Sequence, residues 1–187
     1  MKLEQIFSYI KQYSFEENHE KLFQLVSGKR SSYYLDLKQT LLDPQSLHSL
    51  GSILFEKINR LSNVEAVSGL TLGADPLTYT VSLASLKLAK PWLPLIVRKE
   101  TKDHGTGKKI EGKLNQLKNT SHIVLLDDVI TTGNSTLKAV HALKESGYKN
   151  LTHAFCVVDR EEGGKENLLK EGIELISLFK LKDFATK

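Results

Sequence analysis

Hydrophobic residues in this chain form short continuous runs that alternate with stretches of helical spacing. The short runs predict buried strands at residues 66–70, 93–97, 122–126, 151–158 and 173–179. Apolar residues recurring every three or four positions predict helices at residues 3–13, 44–58, 75–88, 135–146 and 165–171. This alternation predicts an α/β fold with a central, mostly parallel sheet flanked by helices. Ligands of such sheets bind beyond the carboxyl ends of the strands.

The first forty residues have a less regular pattern. Two extended stretches, 21–26 and 33–38, lie on either side of a Ser-Gly turn at 27–28, so they could form a hairpin or a flap. Asp43 then precedes Pro44, an order typical of a helix N-cap followed by the first helical turn.

Composition narrows the class of protein. With 187 residues, 40% of them hydrophobic and 26% charged, the chain is expected to fold as one globular domain over residues 1–187. Its net charge of +4 fits an anionic ligand, a nucleic acid or neither. Cys156, the single cysteine, excludes an internal disulfide and lies in an apolar run, so we expect a small buried side chain. We expect a cytoplasmic protein with no membrane partner, because no secretory signal or bilayer-length apolar run is present.

Two adjacent acids follow the predicted strand at 122–126. Asp127 and Asp128 could accept hydrogen bonds from the hydroxyls of a ribose or bind a metal that the ribose carries. The small residues 131–135 then open a helix, where backbone amides and hydroxyls can surround a phosphate. The alternative is that the acids end a strand and Ser135 caps a helix, which leaves the second acid without a purpose.

A charged segment with glycines follows the predicted strand at 93–97. Residues 98–112 contain five lysines or arginines against three acids, together with Gly105 and Gly107. A mobile basic loop could close over a diphosphate and stabilise its charge as it leaves. The alternatives are a solvated surface loop and a nucleic-acid patch, although no aromatic residue is interleaved here to stack on bases.

Arg160 comes directly after the predicted strand at 151–158. A guanidinium at that position could hold a carboxylate through two parallel hydrogen bonds. The alternative is a surface arginine paired with Asp159 or Glu161.

Taken together, these segments resemble the orotate phosphoribosyltransferases, a family of the type I phosphoribosyltransferases. Residues 124–136 resemble the family's motif for phosphoribosyl diphosphate, and residues 98–112, with Arg-Lys-Glu-x-Lys-Asp-His-Gly, resemble its catalytic loop. Residues 23–36 and 69–76 are similar to the stretch that covers the base and to the diphosphate loop. The resemblance runs from about residue 15 to the end and implies a small N-terminal hood at about 1–40 on a core at about 41–187.

The resemblance also implies roles for individual residues. Catalysis would depend on Lys102, the main stabiliser of the leaving group, with Asp103 and His104. The donor phosphoribosyl diphosphate would be bound by Arg98, Lys99, Lys102, His104, Asp127, Asp128, Val129, Ile130, Thr131, Thr132, Gly133, Asn134 and Ser135. Orotate would be bound by Thr131, Arg160, Tyr33 and Tyr34, although aromatic residues in strands are more often core.

The remaining implications concern the metal and the assembly. Mg²⁺ would enter mainly on the oxygens of the donor, with no dedicated protein ligand. The enzyme would be a homodimer whose loop reaches into the neighbouring active site, with no nucleic acid as partner. The chain has Val26 and Gly73 where some relatives carry lysines, which lowers the local positive charge and leaves the roles of Lys29 and Arg30 open.

Two other functions are compatible with parts of this pattern. A phosphoribosyltransferase acting on a purine base would keep the acid pair but would give no purpose to Arg160 or the His-Gly loop. A regulator that binds phosphoribosyl diphosphate or RNA without catalysis would not need Lys102 and His104.

Overall fold

The computed structural model of the protein describes residues 1–20, 22–24, 30–100 and 109–185. In this part of the chain the helices are α1 (Leu3–Tyr13), α2 (Lys38–Leu41), α3 (Pro44–Ile58), α4 (Asp75–Ala84), α5 (Asn134–Glu145) and α6 (Gly164–Lys170). The strands are β1 (Phe15–Glu17), β2 (Phe23–Gln24), β3 (Arg30–Ser31), β4 (Tyr33–Leu35), β5 (Val64–Leu70), β6 (Leu93–Val97), β7 (Ile110–Glu111), β8 (His122–Ile130), β9 (His153–Asp159) and β10 (Glu174–Lys180).

A six-stranded sheet forms the centre of the molecule. Its strand order is β10-β9-β8-β5-β6-β7, and every neighbouring pair is parallel except β6 and β7. The predicted mostly parallel sheet flanked by helices is therefore confirmed. Since parallel strands point the same way, the ends of β5, β6, β8 and β9 lie along one edge, where a ligand is expected.

Alternating side chains of the sheet supply two separate hydrophobic cores. Val124 and Leu126 of β8 face the core that is covered by α1, α3 and α4, whereas Ile123 and Leu125 face the core covered by α5 and α6. All of these side chains are buried, as expected for central strands covered on both faces. Cys156 belongs to the second core, which confirms its predicted burial.

Most predicted elements match those observed within a few residues, but β8 is longer than predicted. It continues through the acid pair to Ile130, because Asp127 stays in register with Cys156 and Ile130 with Asp159. The polar groups of Asp127 are compatible with this buried position because they are hydrogen-bonded. At α3 the side chain of Asp43 accepts from the amide of Ser46 at 2.7 Å, which confirms the predicted N-cap.

The N-terminal strands pair differently from the predicted hairpin. β2 pairs with β3, while β4 pairs with β1, which the sequence pattern did not predict. Phe15 of β1 explains this pairing, since its buried ring stacks on Tyr33 of β4 at 5.8 Å between centroids. The predicted turn at 27–28, together with Val26 and Lys29, lies outside the described residues.

Helix α1 comes before these two short strand pairs in the chain, yet it packs into the hydrophobic core that α3 and α4 also cover. Ile6 and Ile10 are fully buried there. The division into a hood and a core at about residue 40 stays a prediction. No helix in the described ranges is both long and apolar enough to span a bilayer.

Candidate active site

The acid pair lies at the edge of the sheet where the central strands end. Asp127 is only 5% exposed, and its carboxylate accepts from the hydroxyl of Thr136 at 2.8 Å and from the amide of Asp128 at 3.0 Å. Asp128 is half-buried, and its Oδ1 accepts from the amide of Val129 at 2.8 Å. One acid is therefore fixed from inside the protein, while the other remains open to a ligand.

Burial changes the acidity of the inner carboxyl group. Removal from water, followed by repulsion from the charge of Asp128, raises the pKa of Asp127 to about 8, although the hydroxyl of Thr136 acts in the opposite direction. At neutral pH the pair therefore carries less negative charge than two free aspartates. A pair that holds one proton can both donate to and accept from sugar hydroxyls.

The diphosphate loop, residues 69–76, lies directly against the acid pair. A Cβ atom at Gly73 would be 2.7 Å from Oδ1 of Asp128, so only glycine leaves that carboxylate undisturbed. The loop is held by the hydroxyl of Thr71, which donates to Asp75 at 2.6 Å, and by the amide of Thr71, which donates to Val97 at 2.8 Å. Where some relatives carry a lysine, Gly73 of this chain therefore leaves room for the carboxylate of Asp128.

The phosphate turn, residues 131–135, lies between the acid pair and α5. It lines, together with Asp127, Val129 and Ile130, a cavity of about 50 Å³. Gly133 adopts a φ of 80°, a conformation that glycine reaches without strain, and it precedes the first turn of a 12-residue helix. A small cavity at the start of a helix of this length favours an anion such as a phosphate group. All the predicted residues from Asp127 to Ser135 except Asp128 therefore line one cavity.

The basic loop, residues 98–112, is described only at its two ends. The antiparallel pairing of β6 with β7 joins these ends, and the amide of Arg98 donates to the carbonyl of Lys109 at 2.9 Å. Arg98 and Lys99 line a cavity of about 490 Å³ with Thr71 of the diphosphate loop. The predicted catalytic residues Lys102, Asp103 and His104 lie outside the described residues.

Arg160 follows β9 at the same edge of the sheet. Its backbone amide donates to the carbonyl of Ile130 at 2.9 Å, so its backbone adjoins the start of the phosphate turn. Its side chain is only 7% exposed and donates through Nε to Glu162 at 2.8 Å. The surface arginine paired with Asp159 or Glu161, which the sequence left open, is not what the structure shows.

The two tyrosines predicted for orotate lie on β4. Tyr33 is half-buried, and its ring packs on Phe15, whereas Tyr34 is 40% exposed and stacks on Phe23 at 5.6 Å between centroids. Lys38 follows this strand, and its ammonium group donates to Asp36 at 3.0 Å, a hydrogen bond that is the main reason why its pKa is raised.

Several residues that shape the site were not found from the sequence. Thr136 holds Asp127, and Asn167 of α6 donates from Nδ2 to the carbonyl of Thr132 at 3.0 Å. Gly164 allows α6 to pack against the turn, since a Cβ there would be 2.6 Å from the carbonyl oxygen of Thr131. Of these residues, only Gly164 could have been recognised from the sequence, as part of the glycine pair at 163–164. Hydroxyl and amide side chains in helices have no distinctive spacing.

Within the described ranges, no group of three or more histidine, cysteine, aspartate or glutamate side chains is placed to hold a metal ion. The side-chain oxygens that line the cavity at the phosphate turn belong to Asp127, Thr131, Thr132, Asn134 and Ser135. Such oxygens suit a hard cation such as Mg²⁺.

Known proteins are similar to this chain in sequence and in fold. The family model of the phosphoribosyl transferase domain matches residues 82–182. Orotate phosphoribosyltransferase from Aquifex aeolicus is 47% identical over 174 residues, which cover 93% of this chain and 92% of that protein. The enzyme from Leptospira biflexa is 45% identical over 181 residues, with 96% and 95% covered.

A crystal structure of Mycobacterium tuberculosis orotate phosphoribosyltransferase in complex with 5-phospho-α-D-ribosyl 1-diphosphate is also similar. It superposes with a TM-score of 0.76 at 28% identity and covers 97% of this chain and 98% of its own. The relatives match the chain over almost its full length, and the site contains the acid pair and the phosphate turn that the sequence predicted. The chain therefore belongs to the orotate phosphoribosyltransferase family.

Proposed function

We propose that this chain transfers the ribose 5-phosphate group of phosphoribosyl diphosphate to orotate, giving orotidine 5′-monophosphate and diphosphate in pyrimidine nucleotide synthesis. The observation that carries this proposal is the hydrogen bond from the amide of Arg160 to Ile130, two residues after Asp128. It places an arginine suited to a carboxylate at the same sheet edge as a site suited to a ribose phosphate. A cytoplasmic location stays a prediction.

The donor would be held at both ends of its sugar. The phosphate turn would bind the 5′-phosphate through backbone amides and hydroxyls. Asp127 and Asp128 would hydrogen-bond the ribose hydroxyls, and the diphosphate loop beside Asp128 would face the leaving group. Fixing the sugar at both ends would hold C1′ in one orientation relative to the acceptor, which is the main contribution of positioning to catalysis.

The acceptor would be oriented by Arg160, with a contribution from Thr131. The guanidinium would bind the orotate carboxylate or carbonyl edge, so that a ring nitrogen faces C1′. That nitrogen would attack C1′ as the bond to diphosphate breaks, through a sugar with oxocarbenium character and without a covalent enzyme intermediate. Tyr33 and Tyr34 stay predicted contacts of the base, with Tyr34 the more exposed of the two.

Charge on the leaving diphosphate would be stabilised by the basic loop. Arg98 and Lys99 already line a cavity with Thr71, next to the diphosphate loop. Lys102, assisted by Asp103 and His104, would act when the loop closes, as the family resemblance implies. Mg²⁺ would be bound chiefly through donor oxygens and would neutralise part of the diphosphate charge.

A homodimer would complete the site. Four large apolar side chains close together in the chain, Leu72, Tyr79, Leu83 and Leu86, are between 53% and 67% exposed, and Tyr79 and Leu83 lie one turn apart on the same face of α4. Leu72 belongs to the diphosphate loop, so a second copy that covers this patch would lie beside the active site, where its basic loop could reach in. Leu83→Glu should then give a monomer in analytical ultracentrifugation with reduced turnover; an unchanged dimer would assign the interface to another surface.

Orotate consumption followed by ultraviolet absorbance tests the proposed reaction. The purified chain is mixed with phosphoribosyl diphosphate and Mg²⁺, with adenine, hypoxanthine and uracil assayed in parallel and with EDTA as the metal control. We expect loss of orotate that requires donor and Mg²⁺. Turnover of a purine but not orotate would overturn the use of Arg160, and donor binding without turnover of any base would favour the regulator.

A further inference from the structure

Glu162 is the residue that fixes the direction of the Arg160 side chain. Its Oε1 accepts from Nε of Arg160 at 2.8 Å, and the two side chains are 25% and 7% exposed. An arginine that is so little exposed keeps few alternative orientations, and a charge-assisted hydrogen bond removes more of them. No sequence pattern distinguishes Glu162 from the acids beside it.

The contact leaves most of the guanidinium available. An arginine head has five N–H donors, and a carboxylate can bind in two parallel hydrogen bonds along the edge formed by the two terminal nitrogens. Glu162 uses Nε, and the terminal nitrogens of Arg160 have no hydrogen-bond partner among residues 1–20, 22–24, 30–100 and 109–185. The edge best suited to a ligand carboxylate therefore keeps its hydrogen-bonding capacity with respect to these residues.

The turn that carries both residues is itself held in place. The carboxylate of Asp159 accepts from the amide of Glu161 at 2.8 Å, and Glu161 has a φ of 58°. The side chain of Glu161 is bound by Lys182 at 2.9 Å and by Lys180 at 3.3 Å. These contacts anchor residues 159–162 to the end of β10, so the position of Glu162 is set before any ligand binds.

We propose that Glu162 is a positioning residue for the acceptor: by holding Nε of Arg160, it directs the two terminal nitrogens at the carboxylate of the base. This inference rests on the proposed use of Arg160 and adds to it the residue that sets the orientation of the guanidinium. The opposite role, a carboxylate that competes with the substrate, would call for a bidentate pair on the terminal edge, whereas the observed contact is one bond to Nε.

Equilibrium binding of two nucleotides separates the carboxylate from the rest of the ligand. Orotidine 5′-monophosphate and uridine 5′-monophosphate differ only in the carboxylate, so the ratio of their dissociation constants reports on the Arg160 contact alone. Isothermal titration is carried out on the full-length chain and on Glu162→Ala, Glu162→Gln and Glu166→Ala. Glu166 is an exposed acid on α6 with no described ion pair, so it controls for the loss of one charge nearby.

We expect Glu162→Ala to weaken binding of orotidine 5′-monophosphate about tenfold while uridine 5′-monophosphate binds as before. Glu162→Gln keeps an oxygen acceptor for Nε and should stay within about threefold of the unmodified chain. Equal weakening of both nucleotides in a variant with unchanged melting temperature, or tighter binding of orotidine 5′-monophosphate, would overturn the inference. If the unmodified chain itself does not prefer orotidine 5′-monophosphate, the proposed role of Arg160 fails first.

Discussion

The two turns that form the site are stabilised by different forces. In the phosphate turn, residues 131–135, the contacts are backbone amides, the neutral hydroxyl of Thr136 beneath Asp127 and the amide of Asn167. In the arginine turn, residues 159–164, the contacts are mainly between charged groups, with Arg160 bound to Glu162 and Glu161 bound to two lysines. The first turn offers peptide dipoles that suit an anion, whereas the second fixes the orientation of the Arg160 guanidinium.

Because of this difference, we expect donor binding and acceptor binding to depend on separate groups of residues. Backbone dipoles at the start of α5 can bind any ribose phosphate, so apart from the predicted contact of Thr131 the first turn carries little information about the base. A guanidinium that is held at Nε selects a planar carboxylate by geometry as well as charge. We therefore expect substitutions in the two turns to affect different substrates.

The largest effect is expected for Arg160→Ala. Loss of a charge-assisted pair with the orotate carboxylate should lower kcat/KM for orotate by about 100-fold or more, because such contacts are worth roughly 2–5 kcal/mol when one partner is removed. Steady-state kinetics with orotate varied at saturating donor measures it. Arg60→Ala, at an exposed position after α3, is the matched control and should behave as the unmodified chain.

A smaller effect, on the other substrate, is expected for Thr136→Val. This change keeps the shape of the side chain but removes the hydroxyl that donates to Asp127. Loss of this hydrogen bond should leave the carboxyl group of Asp127 without a fixed orientation and weaken donor binding about tenfold, since leaving one partner of a buried hydrogen bond unpaired costs roughly 1–3 kcal/mol. Thr136→Ser should restore the affinity, and a Ser variant as weak as the Val variant would assign the loss to packing.

Gly73→Ala tests the contact between the diphosphate loop and the acid pair. The added methyl group would lie 2.7 Å from Oδ1 of Asp128, so the carboxylate has to rotate away. Because this carboxylate is at the end of a flexible side chain, we expect donor affinity to fall about threefold to tenfold with little change in melting temperature. Unchanged affinity would mean that Asp128 binds the donor in another rotamer.

The last expected effect is on stability rather than on binding, and it depends on pH. The pKa of Asp127 is raised in the folded state to about 8 from 3.8. Between these values the unfolded chain has lost the proton that the folded chain keeps, so stability falls as pH rises through this window. Asp127→Asn removes this titrating group. Between pH 5 and pH 9, its free energy of unfolding should therefore rise relative to that of the unmodified chain by about 1–3 kcal/mol.

Thermal melts of the ligand-free proteins across this pH range measure the gain. Glu166→Gln, which removes an exposed carboxylate, provides the control and should track the unmodified chain at every pH. A constant difference between Asp127→Asn and the unmodified chain would show that Asp127 is ionised throughout.

Much of the fold could be predicted because its elements are defined by local patterns. The burial of β8 is visible as a continuous apolar run, and Asp43 with Pro44 marks the start of α3 before any contact is known. The phosphate turn could be predicted equally well, because Gly133 and its small neighbours are adjacent in the chain. Local spacing is sufficient wherever the interacting groups are close in sequence.

The rest depends on contacts that no local pattern encodes. The pairing of β1 with β4 follows from the packing of Phe15 on Tyr33, 18 residues apart, and so the predicted hairpin partner was wrong. The end of β8 was placed four residues early because acids rarely continue a buried strand, and here Thr136 makes it possible. Glu162 was missed because several acids near Arg160 were equally plausible partners.

Direct titration of Arg160→Ala with phosphoribosyl diphosphate and Mg²⁺, in the absence of any base, tests the separation of the two turns most directly. We expect a dissociation constant within about twofold of that of the unmodified chain, because the phosphate turn and the acid pair do not use the guanidinium. A loss of donor affinity comparable to the loss of kcat/KM for orotate would contradict it, because the two turns would then form a single cooperative site.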